Sequence, residues 1–213
     1  MLVIGLTGSI GMGKSTVAAM LRARGIATLD ADAVVHELYG GKAAPLVDAA
    51  FPGALTDGVV DRKKLAAMLM AEPGRFARLE AIVHPLVREA EAAFLAAEQR
   101  RGADMAVLEI PLLYETGAEM RCDVVIVASA PAAVQRQRVL ERPGMTADRL
   151  AQLLARQIPD SEKRSRADFI VDTGLSLSGT EAEVDAIVAT LRGRSGTAYH
   201  RYWAPLVDST STT

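Results

Sequence analysis

Short runs of apolar residues alternate with longer amphipathic stretches along this chain of 213 residues. Four runs are rich in β-branched or other apolar side chains: Leu2–Leu6, Met105–Ile110, Asp123–Ala128 and Phe169–Val171. A fifth run, Ile26–Leu29, is weaker. Continuous apolar runs of this length, separated by helices, are typical of parallel strands that are covered on both faces. The pattern therefore predicts a three-layer α/β fold with a parallel sheet of about five strands.

The long stretch between Asp32 and about Gly102 shows helical patterning and no convincing strand. From Arg75 to Arg100, apolar residues recur at steps of three and four, which places them on one face of a helix. Pro85 lies inside this stretch and predicts two helices, the second beginning at Pro85, because proline disrupts a helix interior but suits a first turn. The apolar face consists of Phe76, Leu79, Val83, Leu86, Val87, Ala90 and Phe94.

Composition limits the possible function classes. The formal net charge is −2, which does not suggest a partner such as nucleic acid or a membrane surface. Cys122 is the single cysteine, so the chain forms no internal disulfide or cysteine-based metal site, as in a reducing compartment. No apolar run approaches the ~20 residues that span a bilayer, and the first residues lack the features of a signal peptide. We expect a cytoplasmic protein that binds neither nucleic acid nor membranes and is a monomer or a weak homo-oligomer.

The segment Gly8-Ser-Ile-Gly-Met-Gly-Lys-Ser15 matches the pattern G-x-x-x-x-G-K-S/T, between an apolar run and a predicted helix. Glycines let the backbone wrap closely around phosphates, and the start of the helix adds unpaired N–H groups. In this pattern Lys14 reaches the β- and γ-phosphates, and the Ser15 hydroxyl is a ligand of Mg²⁺. The sequence therefore predicts a P-loop site for a nucleoside triphosphate. Its predicted binding residues are Gly8, Gly11, Met12, Gly13, Lys14, Ser15 and Thr16.

Other features narrow the class of P-loop protein. The chain contains no asparagine, which excludes the Asn-Lys-x-Asp guanine signature of Ras-type GTPases. The run Met105–Ile110 contains one acid, Glu109, and lacks the acidic pair of a motor-type ATPase. Small-molecule kinases need an acceptor pocket and an arginine-bearing lid, and the segment Gln135–Arg166 carries eight cations against four anions. The alternative for this segment is a solvated helical face.

A set of motifs in this order resembles the dephospho-coenzyme A kinase family. The opening Gly5–Val17 resembles that of the family, and Asp30-Ala-Asp32 resembles its Asp-Ala-Asp. The further matching segments are His84-Pro85-Leu86, Ile110–Glu115, Gln135–Arg138, Glu141-Arg142, Gly144–Thr146 and Ala167-Asp168. The resemblance implies transfer of the ATP γ-phosphate to the ribose 3′-hydroxyl of dephospho-coenzyme A, with Mg²⁺, as the last step of coenzyme A biosynthesis.

The resemblance also implies roles for individual residues. Lys14, Asp32 and Arg142 are the expected catalytic residues, with Arg136, Arg138 and Arg149 as alternatives to Arg142. Residues expected to bind the acceptor are Thr7, Asp32, His84 and Leu112. We expect residues 1–32 and 103–213 to form the nucleotide-binding core, with a lid at 141–166. Residues 33–102 are expected to form a helical acceptor-substrate subdomain.

Three departures from the family pattern stand out. Glu109 replaces a common aspartate and is expected to reach Mg²⁺ through water; Pro143 replaces a usually polar residue; Asp172–Gly174 lacks an expected asparagine.

Several alternatives stay open at the level of sequence. The alternative role for Asp32 is that of a simple N-cap of a helix that starts at Ala33. The alternative role for His84 is that of a residue at the start of a helix. Glu115 is either a neighbour of the ligand or a solvent-facing acid. We expect the tail Gly193–Thr213 to be frayed, unless its aromatic residues pack back on the core. The rival functions are a kinase for another small acceptor, such as a nucleoside monophosphate, and a nucleotide sensor without turnover.

Overall fold

A five-stranded sheet forms the centre of the computed structural model, which describes residues 1–72 and 74–210. The strand order is β2-β5-β1-β6-β7. β1 runs parallel to β5 and β6, and β6 runs parallel to β7, so the predicted parallel sheet is confirmed. The strands are β1 (Leu2–Thr7), β2 (Ala27–Asp30), β5 (Met105–Glu109), β6 (Val124–Ser129) and β7 (Phe169–Asp172).

Helices follow or flank each of these strands. They are α1 (Lys14–Ala23), α2 (Ala31–Tyr39), α3 (Ala43–Ala50), α4 (Arg62–Ala71), α5 (Arg75–Arg100), α6 (Ala132–Leu140), α7 (Ala147–Leu154), α8 (Asp160–Arg166), α9 (Leu177–Leu191) and α10 (Ala204–Thr210), with a 3₁₀ turn at Ala118–Arg121 and a π-helical turn at Tyr199–Trp203. Of the helices in the described part of the chain, none combines the length and apolar character that crossing a bilayer requires.

The chain divides into two compact units, one made of residues 1–29 with 95 onward, and the other of Asp30–Phe94. In the first unit, β1, β5, β6 and β7 pack against α1 and α9. Ile4, Leu6 and Ile126 on the strands are almost fully buried, as are Leu21 on α1 and Leu191 on α9. Apolar residues on consecutive strand positions explain why the sequence pattern was continuous rather than alternating.

The second unit has its own apolar core, built mainly from helices. Val47, Phe51 and Leu65 are buried at its centre. It also contains a hairpin of two short strands, β3 (Leu55–Thr56) and β4 (Val59–Val60), where we expected no strand. The connecting Asp57 and Gly58 both have positive φ, 51° and 80°. Asp-Gly is a strong signal for such a turn, so this hairpin was visible in the sequence.

Helix α5 corrects a second expectation, because it continues through Pro85 from Arg75 to Arg100 as one helix. Apolar residues before and after Pro85, such as Leu79 and Leu86, pack against the same core. Pro85 itself is exposed. Burial of one continuous apolar face on both sides of the proline offsets the hydrogen bond that proline cannot make. The prediction of two helices was therefore wrong.

The expected fraying of the tail is also wrong for the described residues. The π-helical turn and α10 continue the chain, Trp203 is fully buried, and Tyr199 is 8% exposed. The Trp203 indole donates a hydrogen bond to the Arg121 carbonyl at 2.9 Å. The Asp123 carboxylate accepts from two tail amides, at 2.7 and 2.8 Å. The last part of that expectation, residues 211–213, lies outside the described residues.

Candidate phosphate-binding site

The loop Gly8–Ser15 joins β1 to α1, and close packing requires its glycines. A Cβ on Gly8 would lie 2.6 Å from the Ala128 carbonyl oxygen. Gly11 and Gly13 both have φ of 79°, a conformation that side chains disfavour. Gly13 is the N-cap of α1 and has no side chain that could cap the first N–H groups of the helix. Such a helix N-terminus is a ready anion-binding site.

A buried carboxylate lies beside the loop lysine. Glu109, at the end of β5, is 2% exposed. Its Oε2 lies 3.3 Å from Lys14 Nζ, and its Oε1 accepts a hydrogen bond from Arg22 Nη1 at 2.9 Å. Arg22 also donates to the Thr28 hydroxyl. Two cations therefore compensate one buried charge, which satisfies the requirement that buried ions be paired. This ion pair restrains the Lys14 side chain beside the end of β5.

The opposite wall of the loop is formed by Thr173, just after β7. Its buried hydroxyl donates to the Met12 carbonyl at 2.9 Å and accepts from Arg138 Nη1 at 3.1 Å. Arg138 Nη2 donates to the Thr173 carbonyl at 2.7 Å. A Cβ on Gly13 would lie 2.8 Å from the Thr173 hydroxyl. Thr173 was not predicted from the sequence as part of the site, although Asp172–Gly174 departs from the family pattern.

The predicted lid region contains two different parts. Arg142 and the following Pro143-Gly144 form an exposed turn after α6. By contrast, α8 is anchored: Lys163 is fully buried and forms an ion pair with Glu115 Oε1 at 2.8 Å. Glu115 also accepts a hydrogen bond from the Ile158 amide at 2.8 Å. Glu115 is therefore an internal anchor, and the interpretation of it as a solvent-facing acid is wrong.

Of the residues expected to bind the acceptor, two lie in the first unit. Thr7 is fully buried at the end of β1, and its hydroxyl donates to the Pro111 carbonyl at 3.1 Å. Leu112, which follows β5, is 39% exposed. Contact of either residue with a substrate stays a prediction.

The other two residues lie in the second unit. The N-cap of α2 is Asp30, whose carboxylate accepts from the Asp32 amide at 2.9 Å. Asp32 lies in the first turn of α2 with its side chain exposed, so its interpretation as the helix cap is wrong. His84 is half-buried in the interior of α5, so its interpretation as a helix-start residue is also wrong. Their roles toward a substrate stay predictions.

A parallel sheet, a phosphate loop with its lysine between β1 and α1, and arginine-bearing helices after β6 together define a P-loop kinase. Comparison with known proteins then gives the family. A sequence model of the dephospho-CoA kinase family matches residues 2–178. The chain therefore belongs to the dephospho-CoA kinase family, whose members are ATP-dependent kinases that catalyse the last step of coenzyme A biosynthesis. The resemblance seen in the sequence is confirmed.

Individual relatives agree with this result. The chain is 58% identical over 196 residues to dephospho-CoA kinase from Mesorhizobium japonicum, covering 92% of this chain and 100% of the relative. A crystal structure from Thermus thermophilus is 38% identical with a TM-score of 0.78, over 90% of this chain and 98% of that one. Dephospho-CoA kinase from Campylobacter jejuni is 22% identical with a TM-score of 0.61, over 89% and 96% of the two chains, and shows that the fold is shared.

Proposed function

We propose that the chain transfers the γ-phosphoryl group of ATP to the ribose 3′-hydroxyl of dephospho-coenzyme A, with the phosphates of ATP on residues 8–16. The observation that carries this proposal is the loop ahead of α1, where glycines with positive φ and the start of the helix accompany Lys14. Lys14 acts on the β- and γ-phosphates, where negative charge develops during transfer. The bond to the β–γ bridging oxygen breaks as the bond from the 3′-oxygen to phosphorus forms.

The side chains near the loop fit a magnesium ion that is held largely by substrate. Within residues 1–72 and 74–210, no group of three or more His, Cys, Asp or Glu side chains is placed to hold a metal. Mg²⁺ usually keeps several waters and binds through one or two protein groups plus substrate phosphates, so the Ser15 hydroxyl at the start of α1 suits it. When bound, Mg²⁺ neutralises charge on the phosphates. We also propose that Glu109 contacts the Mg²⁺ through a water molecule.

For the acceptor, we propose that residues 33–102 form the acceptor-substrate subdomain. Residues 1–32 and 103–213 form the nucleotide core. The compactness of Asp30–Phe94 as a separate unit supports this division. Asp32 accepts or orients the proton of the 3′-hydroxyl as that oxygen attacks. Thr7, His84 and Leu112 contribute to acceptor binding.

Arg142 completes the proposed catalytic set. Its place in an exposed turn, next to a proline and a glycine with φ of 74°, supports a swing toward the transferring phosphoryl group. An arginine in that role stabilises the charge of the transition state. We also propose a cytoplasmic enzyme that works as a monomer or weak homo-oligomer, without nucleic acid or membrane as a partner.

The direct test is to incubate the pure protein with Mg-ATP and a panel of acceptors and to measure product masses. We expect dephospho-coenzyme A to gain one phosphate while AMP and CMP do not. A phosphate gain on AMP or CMP, with dephospho-coenzyme A unchanged, would contradict the proposed acceptor. Leaving out Mg²⁺ and adding a chelator is expected to abolish turnover.

A further inference from the structure

Two glutamine side chains hold the peptide groups of one residue in the phosphate loop. The Ile10 amide donates to Gln157 Oε1 at 3.2 Å. The Ile10 carbonyl accepts from Gln135 Nε2 at 2.8 Å. Gln135 belongs to α6, and Gln157 lies between α7 and α8. The loop is thereby tied to both ends of the arginine-bearing segment 136–156, at residues that are far apart in sequence.

The chemistry of the partners leaves no ambiguity about these bonds. A backbone N–H only donates and a carbonyl only accepts, so each glutamine amide has one orientation that satisfies its partner. Gln135 is 7% exposed, which makes the loss of its bond more costly than at the surface. Gln157 is half-buried. The two side chains have opposite roles, Gln135 as a donor and Gln157 as an acceptor.

Ile10 directly precedes the part of the loop that turns toward α1. A Cβ on the next residue, Gly11, would lie 2.5 Å from Val139 Cγ2 and 3.1 Å from the Gln135 carbonyl oxygen, so α6 packs directly on the loop. A rotation of the peptide group between Ile10 and Gly11 would redirect the Gly11 N–H and the N–H groups that follow it. Fixing the two peptide groups that flank Ile10 keeps those N–H groups oriented before nucleotide arrives, and such preorganisation increases affinity.

We infer that Gln135 and Gln157 are positioning residues that hold the two peptide groups flanking Ile10 so that the phosphate loop is preformed for nucleotide. This inference rests on the proposed binding of ATP phosphates by residues 8–16. It predicts a specific kinetic signature. The loop binds ATP in the ground state and in the transition state alike, so losing either glutamine raises the KM for ATP with little change in kcat. The KM for dephospho-coenzyme A stays unchanged.

The first experiment uses the full chain with Gln157→Met and Gln135→Met, which keep side-chain length and remove the amide. Gln152→Met is the matched control, because Gln152 is an exposed glutamine on α7 within the same segment. The Kd for ADP is measured by titration calorimetry, and the KM for each substrate by steady-state kinetics. We expect a rise of about three- to tenfold in the Kd for ADP and the KM for ATP for the two test variants, the range for one hydrogen bond. The control should match the wild type.

A second measurement separates positioning from general stability. Each variant is melted with and without ADP, because a ligand that binds the folded state raises the melting temperature according to its Kd. We expect the melting temperature without ADP to change little for Gln157→Met, while its increase with ADP becomes smaller. The residue exchanged in Gln135→Met lies inside α6. If that variant does not fold, Gln157→Met alone provides the test.

A conservative exchange tests the polarity of the two bonds. Gln135→Glu places a carboxylate against the Ile10 carbonyl at neutral pH, but its protonated form can donate to that carbonyl. The affinity of Gln135→Glu for ADP should therefore recover toward acidic pH relative to Gln135→Met at the same pH. Gln157→Glu still offers an acceptor to the Ile10 amide. It should bind ADP more tightly than Gln157→Met, after correction for added charge with Gln152→Glu.

The outcomes distinguish this inference from the proposed function. If the wild type binds ADP and both methionine variants bind it equally well, the two glutamines do not position the loop. The same conclusion follows if both KM values rise together or if stability falls without a specific loss of nucleotide affinity. If the wild type itself binds no nucleotide, the proposed function fails first, and the inference fails with it.

Discussion

The phosphate loop and the exposed turn at Arg142 both carry a positive charge that the proposed chemistry needs, but they hold it differently. Lys14 is only 13% exposed and is paired with a buried carboxylate. Arg142 is exposed, and within the described part of the chain its side chain makes no hydrogen bond or ion pair. A charge that is already in place costs no reorganisation during the reaction. A charge on an exposed turn acts only if closure brings it to the substrate.

The difference extends to the structure around each charge. The loop is held by Thr173, Gln135 and Gln157 through hydrogen bonds to its backbone. The turn with Arg142 is exposed, and it lies between α6 and α8, the helix held by the buried pair of Lys163 with Glu115. Rigid support therefore coincides with the charge that is already in place, and exposure coincides with the charge that needs the proposed closing movement.

The largest expected effect is on the exposed turn. Arg142→Ala should lower turnover by about 10³–10⁵, because an arginine that reaches the transferring phosphoryl group contributes that much. The Kd for ATP should rise much less. Arg142→Lys should recover only part of the activity, since lysine lacks the planar fork of arginine. Single-turnover kinetics and nucleotide titration measure the two quantities.

Arg192→Ala, at an exposed position after α9, is the control for Arg142→Ala. Normal turnover of Arg142→Ala together with failure of Arg138→Ala or Arg149→Ala would assign the role to a different arginine. If all these variants keep the turnover of the wild type, the cations of Gln135–Arg166 form only a solvated face.

The proposed proton acceptor gives the next effect. Asp32→Asn should slow the chemical step by about 10²–10⁴, because it removes the carboxylate that orients or accepts the proton. The cap of α2 is Asp30, so this change leaves the helix start intact. Asp61→Asn, at the N-cap of α4, is the control, since asparagine caps about as well as aspartate. An unchanged single-turnover rate for Asp32→Asn would remove Asp32 from the mechanism.

The next effect is on stability and concerns the buried ion pair between Lys163 and Glu115. Glu115→Ala leaves the fully buried Lys163 ammonium without its partner, and breaking a buried ion pair on one side costs about 3–5 kcal/mol in the free energy of unfolding. The double change Glu115→Leu with Lys163→Met should recover most of this loss, because it removes both charges. Urea unfolding measures all three proteins. A single variant as stable as the wild type would show that the pair is not an anchor.

The next effect is on turnover and concerns Lys14 in the phosphate loop. Lys14→Ala should reduce turnover by about 10²–10³, or roughly 3–4 kcal/mol, as expected for loss of one preorganised donor. Circular dichroism should show an unchanged fold. Lys63→Ala, at an exposed position in α4, provides the comparison. Near-normal turnover of a folded Lys14→Ala protein would contradict the phosphate role and with it the contrast between the two regions.

The smallest expected effect is at the wall of the loop. Thr173→Val removes the hydroxyl that bonds the Met12 carbonyl and Arg138, and should cost about 1 kcal/mol of stability with a few-fold rise in the KM for ATP. Thr190→Val serves as control because the Thr190 hydroxyl donates to the Ala186 carbonyl of the same helix, α9. Equal effects of the two changes would mean that Thr173 has no special link to the loop.

The sequence by itself determined the sheet, the phosphate loop and the family. Each of these depends on local information: a continuous apolar run predicts a strand covered on both faces, and the spacing Gly8–Ser15 predicts a loop around phosphates. Even the missed hairpin at Asp57-Gly58 was a local signal. Local patterns report whether a residue is buried and which backbone shape it prefers, and neither depends on which strand lies next to which.

Tertiary structure alone decided the partners. Glu109 reaches Lys14 because β5 lies next to β1, and Thr173 reaches Met12 from the end of β7. The helix through Pro85 and the buried Trp203 were likewise decided by packing that outweighed local preference. Residues 10, 135 and 157 show the reason most directly: hydrogen-bond donors and acceptors are common in every sequence, and only the three-dimensional arrangement selects which of them meet.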